Sequence, residues 1–213
     1  MEKQQKVNVR DMVEVALFAA IMLVLAFTPL GYIPITPTIN ATTMHIPVIL
    51  AGIVLGRKKG AITGFIFGLT SFAKASFFSP NITSFLFTPF YPGGNVLSLV
   101  ICFVPRILIG VVAALVFEGL SKLIKGKDGD VASLAIAGVC GSLTNTILVM
   151  GMAYLFFAQQ FADAVGKEAG EVLGYIITGV VVGNGVPEAI VAGIITAGVG
   201  KALLVVNRKR NLQ

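Results

Sequence analysis

Apolar residues along this chain fall into long, nearly unbroken runs, not into the alternating or three-and-four spacing that marks a single buried face. A helix needs roughly 17 to 25 such residues to cross about 30 Å of hydrocarbon. By that measure the runs lie at about 11–28, 43–55, 61–78, 96–123, 131–158 and 172–206. They predict an all-α integral membrane protein with six transmembrane helices, forming one domain over residues 1–213. Breakers separate the runs: Pro29 and Gly31 after the first, the basic turn Gly56 to Gly60 after the second, and Pro80, Pro89, Pro92, Gly93 and Gly94 after the third. The fourth and sixth runs exceed a perpendicular crossing, which predicts tilt or projecting ends. Pro187 predicts a kink or unwinding inside the sixth, because proline removes a backbone donor.

The second run is the informative irregularity. Its 13 residues reach only about 20 Å at about 1.5 Å per residue. It cannot cross alone, so the preceding loop, GYIPITPTINAT, is expected to dip inward and line a watery cavity. That places Asn40, Thr42 and His45 at an outward-facing pocket. In the competing reading Thr43 caps the helix and Asn40 makes a turn. His45 is the sole histidine, so hydrogen bonding is favoured over metal ligation.

Composition fits a membrane setting: 56% hydrophobic and 12% charged residues, against roughly 25% charged in a soluble domain. The mean hydropathy is +0.91. The net charge of +6 does not mark a nucleic-acid surface, since the basic residues sit in clusters between apolar runs. They orient the chain instead. Lys3, Lys6 and Arg10, the Arg57 turn, Lys122, Lys125 and Lys127, and the Arg208 tail share one side, with Lys167 opposite, so both termini are expected to be cytoplasmic. The basic start followed by an apolar run resembles a secretory signal. Asp11 and Glu14 interrupt it and no small-x-small site follows, which predicts a retained first helix. Cys102 and Cys140 lie inside apolar runs and are read as core residues.

Polar residues inside the runs are the candidates for chemistry. Arg106 stands out, because a mid-helix charge costs about 2.5 to 3.5 kcal/mol even on the mildest insertion scale. Glu188, just past Pro187, is a candidate partner, and Asn184 lies one helical turn earlier on the same face. Two readings stay open: a structural Arg106–Glu188 pair, or Arg106 receiving an anionic ligand group while Glu188 orients it or bonds a hydroxyl. Asn145, between Thr144 and Thr146, is expected to meet a neighbouring helix or the ligand. Lys74 is read as snorkelling to the interface, and Phe85, Phe87, Phe90 and Tyr91 as a possible cover. Ala16 and Ala20 form a small-xxx-small pair that admits a partner helix, while Gly60, Gly64 and Gly68 form a strip read as internal packing. No phosphate-binding G-x-x-x-x-G-K-[ST] loop, H-E-x-x-H, G-x-S-x-G or acidic metal cluster occurs, so neither ATP use by the chain itself nor catalysis is expected, and no cofactor or metal. No inverted repeat of the kind found in stand-alone carriers is visible.

Taken in order, INATTMHIPVILAGIVLGRKKGAITGFIFGLTSF, TSFLFTPF and ICFVPRILIG resemble the substrate-binding S component of an energy-coupling factor (ECF) vitamin transporter, over nearly the whole chain. The stretch from Asn40 to Phe72 is most similar to pantothenate-type members, with riboflavin-type members next. The resemblance implies a six-helix bundle in the bacterial plasma membrane that captures a vitamin from outside. It then pairs with a transmembrane coupling protein and two cytoplasmic ATPases, and topples to release the vitamin inside. It further implies that Ala16 and Ala20 dock on the coupling protein. The pocket region it implies is the one read from the residues. Arg106 suits a carboxylate, and Asn40, Thr42, Asn145 and Asn184 suit hydroxyl and amide groups. A flat aromatic vitamin such as riboflavin, or a pyrimidine precursor, is the alternative ligand, and a ligand-free membrane scaffold the alternative class. The absence of Trp and the presence of only 4 Tyr tilt toward an aliphatic ligand, against which 15 Phe must be weighed.

Overall fold

The computed structural model describes residues 9–34, 40–124 and 129–210. Lys3, Lys6, Lys125 and Lys127 lie outside these residues, as do loop positions 35–39 and the side chains of Arg10, Asn40 and Arg208. The chain opens with α1 (Val9–Ala26) and a short antiparallel pair, β1 (Tyr32–Pro34) and β2 (Asn40–Thr42), in which Tyr32 faces Thr42. Next come α2 (His45–Leu55) and α3 (Arg57–Ala73), the latter prolonged by a π-helical turn over Lys74–Phe78. A 3-10 turn (Ser84–Leu86) leads to α4 (Val96–Leu123) and α5 (Gly129–Val165). The last segment joins α6 (Val172–Tyr175), a π-helical stretch (Ile176–Gly185) and α7 (Val186–Arg210).

Among the described residues, four helical segments are long and apolar enough to cross a membrane: Arg57–Phe78, Val96–Leu123, Asp130–Val165 and Val172–Val206. Met12–Ala26 and His45–Leu55 are shorter apolar helices. α2 has 11 residues, about 16 Å of helix. Its Pro47 sits in the first turn, where a missing N–H costs nothing. Gly56, at φ 92°, ends the helix in a conformation a side chain would resist, and α3 starts at the next residue. The result is a tight helical hairpin. α5 departs from the sequence reading: residues 159–165, expected in a loop, continue the helix past a bend at Phe157 (φ −139°, ψ 28°).

Close packing of α2, α3 and α4 rests on glycine. A Cβ on Gly110 would lie 2.6 Å from the Gly60 backbone, and one on Gly64 would run into the Arg106 carbonyl. The glycine strip read in α3 is thus a packing face, as expected. Gly64→Ala should push α3 from α4 and lower the thermal midpoint in detergent, by about 1 to 3 kcal/mol of overpacking. Gly119→Ala on the same α4, with open space around the added methyl, should leave it unchanged or raise it. Equal midpoints would contradict the packing argument.

Two buried apolar clusters flank the middle of the bundle. One gathers Met22, Met44, Val48, Ile49, Phe67, Ile109 and Leu134; the other gathers Phe85, Leu86, Ile101, Val149, Phe157 and Phe161. Contacts at one end bring the basic segments together: Lys59 pairs with Glu14 and Arg57 with Glu118.

Candidate functional site

A cavity of about 460 Å³ borders both clusters, touching Phe67 of the first and Leu86, Val149 and Phe161 of the second. That volume suits a small molecule, since such sites run ~300–1,000 Å³. Its walls come from β1 and β2 (Tyr32, Thr42), α3 and its π-turn (Ser71, Lys74) with Ser79 after it, the 3-10 turn, α4 (Arg106), α5 (Asn145, Thr146) and the π-stretch with α7 (Asn184, Glu188).

Arg106 owes its position to its neighbour. Pro105 lies inside α4 and supplies no N–H to the carbonyl of Ile101 four residues earlier. The Arg106 Nη1 donates to that freed oxygen at 2.8 Å. This folds the side chain along its own helix into the cavity, with the guanidinium 4.6 Å from the Phe87 ring centre and 5.4 Å from that of Phe67. The residue is 5% exposed, and its Nε has no hydrogen-bond partner. A buried donor left in that state is expensive unless something arrives to accept.

The sequence offered Glu188 as a partner, and the structure corrects this. No carboxylate of the described residues pairs with Arg106. Glu188 Oε1 instead accepts the Thr42 backbone N–H at 2.5 Å and the Asn184 side-chain amide at 3.2 Å. An acid early in α7 thus holds the strand pair from across the bundle. Thr42 Oγ1 donates to the Gly31 carbonyl and accepts from the Met44 N–H, closing the corner between β2 and α2. Thr43 does not cap α2 with its side chain; its hydroxyl donates to the Leu30 carbonyl at 2.7 Å.

Asn184 reaches the wall because the helix widens there. Proline at 187 cannot donate, and the chain meets this with the π-helical stretch ahead of it rather than a sharp kink. Asn145 is 8% exposed, and its Oδ1 has no partner. His45 is 1% exposed and is absent from the cavity wall; neither ring nitrogen makes a well-formed hydrogen bond, the Thr42 backbone being an adjacent polar group. Asn40 contributes backbone to β2.

Several wall residues were not singled out from sequence. The Tyr32 hydroxyl lies 3.1 Å from Ser71 Oγ, and burial holds its pKa above the ordinary phenol value, so it remains a neutral group. Lys74, read as snorkelling, borders the cavity with Nζ 4.0 Å over the Tyr32 ring. Asn81 Oδ1 accepts from Thr83 and Ser84, a local turn that shapes one edge of the cavity. Of the aromatic cover, Phe87 lines the cavity, Phe85 is buried beside Phe157, and Phe90 is exposed.

The cavity therefore presents a fixed cation whose Nε lacks an acceptor, a buried amide oxygen lacking a donor, and a partly committed carboxylate. Residues 10–200 match the family model described as "ECF transporter, substrate-specific component". The chain belongs to that family. Among curated proteins it is 34% identical over 205 residues to the "Pantothenic acid transporter PanT" of Lactococcus lactis subsp. cremoris, covering 93% of this chain and 96% of the relative. It is 28% identical over 203 residues to the "Pantothenate transporter PanT" of Leuconostoc mesenteroides subsp. mesenteroides, covering 92% and 93%. As an ECF substrate-specific component, the chain is a multi-pass membrane subunit of a transporter, not an enzyme. Membership implies association with an energising ECF module.

Proposed function

We propose that this ECF component captures pantothenate on the outer side of the plasma membrane and delivers it to a coupling protein driven by two ATPases. The observation that carries the reading is the Arg106 Nε, buried without an acceptor in the cavity wall. Both relatives are named for this substrate. Pantothenate is a carboxylate joined through an amide to a dihydroxy acyl group, so one end supplies the acceptor that Arg106 lacks. A hydroxyl or amide N–H supplies the donor that Asn145 Oδ1 lacks. The hydroxyl end faces Asn184, Thr42 and Glu188, because a carboxylate set beside Glu188 would meet a like charge. The side chain of Asn40 lies outside the described residues, and His45 is buried away from the cavity wall.

The whole chain acts as one domain that crosses six times with both termini cytoplasmic. The pairing of Lys59 with Glu14 and of Arg57 with Glu118 supports this, since it gathers the start of α1, the α2–α3 turn and the end of α4 at one basic end. A thermal-shift panel on the purified chain tests the ligand: pantothenate raises the midpoint, riboflavin and pyrimidine vitamins leave it unmoved. A rise with riboflavin alone would replace the ligand, and no rise with any vitamin would favour a scaffold.

Docking is assigned to α1, where Ala16 and Ala20 are exposed beside Leu17 and Val13. Ala16→Leu combined with Ala20→Leu should reduce vitamin uptake by cells carrying the ECF module while leaving the purified chain's affinity unchanged. Unchanged uptake would remove the role of this face.

A further inference from the structure

A second cleft, of about 680 Å³, opens between α1 and α3. Its walls are mainly apolar: Leu23 and Ala26 on α1, with Phe27 just beyond, face Ile66, Leu69 and Ala73 on α3. From Ile66 to Ala73 the trough follows about 10 Å of helix. One end carries polar groups as well, for Thr28, Tyr32, Lys74 and Ser79 line it beside Pro29 and Phe78, and Thr70 lies between Leu69 and Ala73. The hydroxyls of Thr28 and Thr70 are already donated to the backbone carbonyls of Leu25 and Phe67. The Lys74 ammonium is different. It rests over the Tyr32 ring, no carboxylate of the described residues pairs with it, and residues 35–39 contain no acid.

We propose that this cleft holds an anionic phospholipid of the leaflet on the ligand-cavity side, its acyl chain lying between α1 and α3 and its phosphate on Lys74. The argument is complementarity of shape and charge. An apolar trough closed by one cation has the pattern of a single chain with an anionic head, and a basic residue near the membrane surface contributes to such recognition. A zwitterionic lipid fills the trough equally well but gains less from the cation. Tyr32, Lys74 and Ser79 border both this cleft and the ligand cavity, so the lipid head and the vitamin site share a wall. The inference depends on the membrane setting and not on which vitamin is bound.

The chain has no tryptophan, which makes a direct test available. Leu69→Trp places one fluorophore in the cleft, and Leu155→Trp places one on the 74% exposed lipid-facing surface of α5. Each protein is reconstituted in vesicles of phosphatidylcholine containing either brominated phosphatidylglycerol or brominated phosphatidylcholine at equal fraction, and quenching is compared. At Leu69→Trp, phosphatidylglycerol should be favoured about fivefold, and at Leu155→Trp neither lipid should be favoured. Adding Lys74→Gln to Leu69→Trp should abolish the preference, and Lys74→Arg should keep it. Equal preference at the two tryptophan positions, or a preference that survives Lys74→Gln, would overturn the proposal. The first comparison needs no change at Lys74, so a poorly folding Lys74→Gln protein does not spare it.

Discussion

Arg106→Gln is expected to weaken pantothenate binding by about 100-fold or more while leaving a folded, cavity-bearing protein. Truncating one partner of a buried, hydrogen-bonded charge pair costs about 2 to 5 kcal/mol, because the remaining charge stays desolvated. On the proposed reading that remaining charge is the vitamin's carboxylate, left facing a buried wall from which the guanidinium between Phe67 and Phe87 has been removed. Glutamine keeps a donor for the Ile101 carbonyl, so the local fold of α4 around Pro105 is preserved. The diagnostic comparison uses panthenol, in which a primary alcohol replaces the carboxylate. The unmodified protein should prefer pantothenate strongly, and Arg106→Gln should bind the two alike. Arg106→Lys should fall between, since it retains the charge without the fork that serves Ile101 and the ligand together. If Arg106→Gln still discriminated pantothenate from panthenol, the carboxylate would have to be bound elsewhere, and Lys74 would be the cation left on the wall.

Glu188→Leu should cost about 10- to 100-fold in affinity, and chiefly through faster release. Its carboxylate takes the Thr42 N–H and the Asn184 amide together. Hydrogen bonds to a charged acceptor contribute about 1.5 to 3 kcal/mol each. Leucine leaves the Thr42 N–H without a partner and frees β2 from α7, so the corner over the cavity loosens. Glu188→Gln is the informative counterpart. It keeps a carbonyl oxygen for Thr42 and removes a negative charge from a cavity that receives an anion, so its affinity should be equal to or higher than that of the unmodified protein. Stopped-flow dissociation of labelled pantothenate measures both. A Glu188→Gln protein as impaired as Glu188→Leu would mean that the charge, and not the hydrogen bond, is what the site requires.

What could be read from the sequence, and what could not, follows from the physics of each signal. Arg106, Asn145, Asn184 and Glu188 announce themselves because a polar group inside an apolar run needs a reason, and all four stand on one cavity wall. Their partners were less legible. Pairing Arg106 with Glu188 by charge alone overlooked a backbone N–H in a strand 146 residues earlier, which no spacing rule connects to Glu188. Lys74 looked like an interfacial residue since it lies near the end of its run, yet the π-turn at Lys74–Phe78 leaves it bordering the cavity. Phe67 and Ser71 carried no signal at all, being ordinary residues of a membrane helix. The span lengths were read with a membrane ruler, and that ruler measures crossing, not helix. Residues 159–165 are polar enough to suggest a loop, but Phe161 and Ala162 pack against the second cluster and keep α5 helical beyond Phe157. The 28 residues of α4, by contrast, form one helix from Val96 to Leu123, and Asn95 and Ser98 form a reciprocal cap at its start.

The same physics explains why the cavity survives in so apolar a bundle. Pro105 frees a carbonyl that Arg106 claims, and Pro187 is preceded by a widened helix that swings Asn184 to the wall. Two prolines that would weaken an isolated helix thus accompany the two irregularities from which Arg106 and Asn184 reach the cavity wall.

Equilibrium titration of the purified chain with radiolabelled pantothenate, competed by unlabelled pantothenate and by panthenol, tests the central claim most directly. One saturable site per chain is predicted, emptied readily by pantothenate and poorly by panthenol. Absence of saturable binding, or equal competition by panthenol, would contradict a cavity built around Arg106 to receive the vitamin's carboxylate.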